Sequence, residues 1–168
     1  MKAMGLLLLM SMSAIAAAQP APLPTSPAFT AKGSFFAISV AGLDASARWY
    51  SEKLGMKLVM DVPESDGTAM KLLEGRGLTV EMIEDSRAIP LSTAAPQIER
   101  DYRVHGIFEA GVVVEDWDRL LATLGERGVE IATGPVPART DQRSNLVIRD
   151  NSGNYLQFFG GFAAPAAP

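Results

Sequence analysis

Cysteine is absent from this 168-residue sequence, and histidine occurs once, as His105. Without cysteine no disulfide can brace the fold, so stability has to come from packing. The same absence excludes a lipid anchor attached through an N-terminal cysteine. Excess positive charge is also missing: 15 Lys and Arg face 19 Asp and Glu, a formal net charge of −4. A mildly acidic surface argues against nucleic acid and anionic membranes as partners. Apolar runs stay shorter than the ~20 residues that span a bilayer.

What is present at the N-terminus is more telling. Lys2 precedes a Leu-rich run from Gly5 to Met10, then small residues ending Ala16-Ala17-Ala18. This reads as a secretory signal peptide over residues 1–18, cut after Ala18, and implies a periplasmic or secreted protein with no membrane attachment after cleavage. Removing 18 of 168 residues leaves 150, and losing Lys2 takes the charge from −4 to −5. That length supports one domain with its own core. Residues 19–32 form a Pro/Ala-rich linker and residues 163–168 a short tail, so the folded domain is 33–162.

An internal repeat organises that domain. Phe35-Phe36-Ala37-Ile38-Ser39-Val40 is a strand-like run followed by a helical pattern from Leu43 to Leu54. Seventy-four positions on, Glu109-Ala110-Gly111-Val112-Val113-Val114 leads into a second helical pattern through Arg127. Both helices end at glycine, Gly55 and Gly128, a frequent stop signal. The later halves match at an offset of 76, Gly77–Met82 against Gly153–Phe158. The reading is two modules, 33–84 and 106–162, joined by an inter-module linker over 85–105. Strands are expected near 35–40, 56–61, 68–74 and 78–84, and again near 107–114, 129–133, 144–149 and 154–160. Helices are expected at 43–54 and 116–127, with Asp116 as an N-cap. The fold class is α+β: two βαβββ modules forming a curved, cup-shaped mixed sheet with helices on the outer face. The 85–105 segment is either a surface connector or a flap over the cup.

Strand alternation sorts the side chains. Phe36, Ile38, Val80, Met82, Val112, Leu156 and Phe158 should face the helices. Phe35, Ser39, Thr79, Glu81, Glu109, Gly111, Tyr155, Gln157 and Phe159 should line the cup. This mixture of apolar and a few polar groups suits a small organic ligand. Glu81 and Glu109 fall across the cup from each other. Two carboxylates in a partly apolar cavity are costly unless a cation, proton or water intervenes, so they are the candidate catalytic pair. Arg143 starts the seventh strand and either holds an anionic group at the rim or is a surface residue. His105 could transfer protons, or could simply be a solvated linker residue.

The run Ile38-Ser39-Val40-Ala41-Gly42-Leu43-Asp44-Ala45-Ser46-Ala47-Arg48-Trp49-Tyr50 resembles the opening of a glyoxalase/bleomycin-resistance/dioxygenase domain, also called vicinal oxygen chelate. Val114-Glu115-Asp116-Trp117-Asp118 resembles the start of that family's second unit, and Arg149–Phe159 its closing turn and strand. The resemblance implies paired βαβββ units, a cup and frequent homodimers. Members include lyases, isomerases and ring-cleaving dioxygenases that hold a divalent metal, and ligand-binding proteins that do not. The family's metal positions correspond here to Phe35, Glu81, Glu109 and Gln157. Phe35 has no lone pair to give and Gln157 is a weak neutral donor, so no metal or other cofactor is expected. Three readings follow: a metal-independent small-molecule binder; a lyase, isomerase or dioxygenase with a reduced metal site or a Glu base; and a dimeric interaction module with a self-filled cup.

Overall fold

In the computed structural model, residues 33–99, 103, 105 and 107–164 are described. The expected signal peptide, the 19–32 linker and the end of the tail lie outside them. The elements run β1 (Ser34–Ser39), α1 (Leu43–Leu54), β2 (Lys57–Ser65), β3 (Thr68–Gly75), β4 (Leu78–Asp85), a one-turn α2 (Leu91–Ala94), β5 (Ala110–Val113), α3 (Trp117–Glu126), β6 (Ile131–Val136), β7 (Arg143–Arg149) and β8 (Tyr155–Phe162). The eight strands divide between two mixed four-stranded sheets, ordered β1-β4-β3-β2 and β5-β8-β7-β6. The architecture is the expected α+β one, and the two sheets do not close on each other. No helix among the described residues is long and apolar enough to cross a membrane.

The repeat holds to the level of register. Ala37 pairs with Glu81 in the parallel β1–β4 ladder, and Gly111 pairs with Gln157 in the parallel β5–β8 ladder. These pairs are related by the offsets of 74 and 76 seen in the sequence. A parallel first-to-last pairing in each unit needs a crossover, and the helix between supplies it.

One hydrophobic cluster draws on both modules. Val40, Leu43, Tyr50, Leu73, Val80 and Met82 meet Leu124, Leu146, Ile148, Leu156 and Phe158. The side chains expected to face the helices are therefore the ones in or against the core, while Phe35, Ala37 and Ser39 stay exposed on the other face. α1 lacks a side-chain cap, and the Leu43 N–H instead donates to Glu84 of β4 at 2.6 Å. α3 is capped as expected: the Asp116 carboxylate accepts from the Arg119 N–H at 3.0 Å. Asp116→Ala should lower stability by about 1 kcal/mol, the usual worth of an N-cap, measurable by urea unfolding.

Strand ends differ from the sequence expectation for local reasons. β5 begins at Ala110, not 107, because its parallel ladder with β8 starts only at the Ala110–Leu156 pair. Glu109 is thus freed from the strand. β2 runs on to Ser65 because Asp66 and Gly67, both at positive φ, close a tight hairpin into β3. An Asp-Gly pair is a standard sequence signal for such a turn, and it explains the longer strand. β6 extends to Val136, paired with Asn145 across a register shift.

Two buried polar side chains, one in each of β3 and α1, are tied to carboxylates. Lys71 of β3 is only 8% exposed, and its ammonium reaches Asp61 at 2.5 Å and Asp44 at 3.2 Å. The hydrogen bond to Asp61, above all, holds its pKa above the ordinary lysine value. Tyr50 of α1 is fully buried and donates to Asp150, in the β7–β8 turn of the other module, at 3.0 Å. Burial, then the Asp150 charge and hydrogen bond, push the phenol far above its ordinary value of 10.0. The folded state thus holds this proton more tightly than the unfolded chain. Its contribution to stability is complete below pH 10 and drains away as the pH climbs beyond. Wild-type protein should lose stability above pH 10 at up to about 1.4 kcal/mol per pH unit from this group, and Tyr50→Phe should remove that slope. Urea midpoints across pH 8–11 measure it.

Candidate functional site

The junction of the two modules is more than a packed core. Between β1 and the segment leading into β5 lies a cavity of about 550 Å³. Its wall is largely apolar, with Phe35, Ile38, Phe108 and Leu156 among the lining side chains. Polar groups come from Ser39, Asn154 and Tyr155, and Glu109 is the only charged one among the described residues that line it. Glu109 is half-buried and makes no hydrogen bond or ion pair among the described residues. A partly buried carboxylate without a partner is unfavourable, so a donor or cation arriving there is stabilised. The Arg149 guanidinium sits over the Tyr155 ring at 5.1 Å and donates to its hydroxyl at 2.6 Å, while also pairing with Glu130 at 3.8 Å. Tyr155 is therefore held in one orientation at the cavity wall.

Phe35, Ser39, Glu109 and Tyr155 are thus brought to a single cavity from three separate stretches of chain. Thr79 and Glu81 do not line it. They stand on the uncovered face of sheet one, in register with Phe35 and Ala37 respectively. Gly111 and Gln157 pair with each other, as do Val113 and Phe159, on the matching face of sheet two. Arg143 lies at the far end of β7, its guanidinium 4.9 Å from the Phe162 ring and hydrogen-bonded to the Gly160 carbonyl at 3.5 Å. His105 is exposed. Sequence reasoning missed Phe108, Asn154 and the helix residue Tyr50 as wall residues. A longer fifth strand concealed the first, and nothing local marks the others.

Ser39 and Asn154 also line a neighbouring cavity of about 610 Å³, whose wall includes Ile89, Leu91 and Ser92. The segment between the modules therefore borders this second cavity as well as connecting the two units.

The family's divalent ion is not matched by this donor set. Phe35 offers no donor atom, Gln157 offers a neutral amide, and no group of three or more His, Asp or Glu side chains converges among the described residues. A Lewis-acid step has no footing in these side chains.

Two βαβββ modules, each closing a four-stranded mixed sheet's first and last strands in parallel, define a paired-module α+β class of domain. The family model for the Glyoxalase/Bleomycin resistance protein/Dioxygenase superfamily matches residues 34–158, and the chain belongs to that superfamily. Solved structures carry the same fold. A glyoxylase/bleomycin resistance protein/dioxygenase domain from Frankia sp. EAN1pec superposes with a TM-score of 0.62 at 22% identity, covering 82% of this chain and 96% of its own. TnmS3, an antibiotic binding protein from Streptomyces sp. CB03234, does so with a TM-score of 0.55 at 18% identity, covering 80% and 98%. The trypanothione-dependent glyoxalase I of Leishmania major gives 0.54 at 19% identity, covering 75% and 84%. No curated protein matches the chain.

Proposed function

We propose that this protein binds a small organic molecule, without a metal, in the cavity between β1 and residues 107–110. The observation that carries this is the carboxylate of Glu109, without a partner among the described residues, in a mostly apolar wall where no other described residue is charged. That chemistry fits an apolar, ring-bearing ligand with an amine or another hydrogen-bond donor. The structural likeness to an antibiotic binding protein supports a binding role. The leader-like residues 1–18 support export, so the ligand would be met outside the cytoplasm. Exposed Leu58, Val59, Met60 and Val62 on edge strand β2 support association with a second copy of the chain.

Calorimetric titration with three probes of one shape tests the reading. These are 1-(aminomethyl)naphthalene, 1-naphthalenemethanol and 1-naphthoate. The cation should bind at least about tenfold more tightly than the anion, a difference of about 1.4 kcal/mol. Prior treatment with EDTA should leave its affinity unchanged. Binding that vanishes on metal removal, a preference for the anion, or no binding by any probe would each contradict the proposal.

A further inference from the structure

Lys53 and Arg127 occupy equivalent positions in the two modules, 74 residues apart. The fold places them together. The Lys53 ammonium donates to the Arg127 carbonyl, and the Arg127 guanidinium donates to the Lys53 carbonyl at 3.0 Å. Each cation thereby caps the C-terminal end of the other module's helix, where carbonyls lack partners and the helix dipole favours positive charge. The exchange also leaves two like charges side by side. Neither has a carboxylate within ion-pair distance among the described residues. Arg76, exposed in the β3–β4 turn, is a third cation with the same lack.

These three residues line a cavity of about 200 Å³ that is separate from the one beside Glu109. Apart from Thr123 the rest of its wall is apolar, including Met56, Leu78, Val112, Leu120, Leu124 and Phe158, and no Asp or Glu among the described residues lines it. Lys53 keeps two further N–H groups and Arg127 four, all available to an acceptor. An anion between the three cations relieves their mutual repulsion and accepts several charge-assisted hydrogen bonds. The apolar wall takes a hydrocarbon tail. At about 200 Å³ the space is below the roughly 300 Å³ at which drug-sized sites begin, so the tail is short.

We propose that this cavity is a second ligand site, for a short-chain carboxylate amphiphile whose head group lies among Lys53, Arg76 and Arg127. Its charge preference is opposite to that of the Glu109 cavity, so the two sites take different ligands and neither depends on the other.

The test is a methyl-NMR titration of the full chain with hexanoate, hexylammonium and 1-hexanol. Hexanoate should shift the methyl signals of Val112, Leu120 and Leu124, and bind at least about tenfold more tightly than hexylammonium. Arg76→Glu removes a cation that caps neither helix, and should weaken hexanoate about tenfold while leaving the melting temperature unchanged. 1-(Aminomethyl)naphthalene should bind the hexanoate-saturated protein with unchanged affinity. Equal binding of hexanoate and hexanol, an Arg76→Glu variant of unchanged affinity, or hexanoate-induced shifts confined to the residues around Phe35 and Tyr155 would each overturn the proposal. The comparison of the three probes on the unaltered protein decides the matter even if the variant does not fold.

Discussion

Asp150→Ala is expected to lower the unfolding free energy by about 3–5 kcal/mol, a large share of the roughly 5–15 kcal/mol that holds a typical domain folded. Asp150 is 5% exposed and collects four donors: the Tyr50 hydroxyl at 3.0 Å, the Ser152 N–H at 2.8 Å, the Asn154 N–H at 2.8 Å and the Asn154 side-chain amide at 2.9 Å. Alanine leaves all four without their acceptor. Each stranded buried donor costs about 1–3 kcal/mol, less where water can enter. The turn built on Asp150 is also what receives α1 from the other module. Ser46 of that helix lies 2.9 Å from the Ser152 hydroxyl and accepts from Asn151 at 3.3 Å. The loss should therefore loosen the module junction as well as the turn. Asp150→Asn keeps one acceptor oxygen and should cost less. Urea unfolding of the two variants measures the effect, and an Asp150→Ala variant within about 1 kcal/mol of wild type would remove this residue from its place in the account.

Glu109→Gln should weaken 1-(aminomethyl)naphthalene about thirty-fold, close to 2 kcal/mol, because a partly desolvated charge pair is lost while the shape of the wall is kept. The neutral naphthalenemethanol should change by less than about threefold, since the apolar contacts remain. Stability should hold or rise slightly, because the exchange removes a partly buried carboxylate that has no protein partner among the described residues. Calorimetry on the two probes separates charge recognition from a general disturbance of the cavity: an equal loss for both would point to the latter.

The parts of this molecule that local pattern controls were readable in the sequence. The stripe Leu43, Ala47, Tyr50 gives a helix that buries those residues, and it does so. The offsets of 74 and 76 place Ala37 against Glu81 and Gly111 against Gln157. Alternation separates Val80 and Met82, both buried, from Thr79 and Glu81. The contacts between modules were a different matter. Tyr50 and Asp150 are 100 residues apart, and neither carries a local sign of the other. Lys71 falls on the buried face of a strand, where alternation calls for an apolar side chain, and only the approach of Asp44 and Asp61 makes it tolerable. Glu109 looks like a strand residue until the ladder is seen to begin one residue after it, at the Ala110–Leu156 pair. Periodicity tells which face a side chain occupies, while the meeting of two sheets decides which faces share a cavity.

Intermolecular NOEs between the naphthyl protons of bound 1-(aminomethyl)naphthalene and the protein test the central claim most directly. The account predicts cross-peaks to Phe35, Phe108 and Tyr155, with the aminomethyl protons nearest Glu109. Cross-peaks confined to the open faces around Glu81 and Gln157, with none to the 107–110 segment, would contradict it.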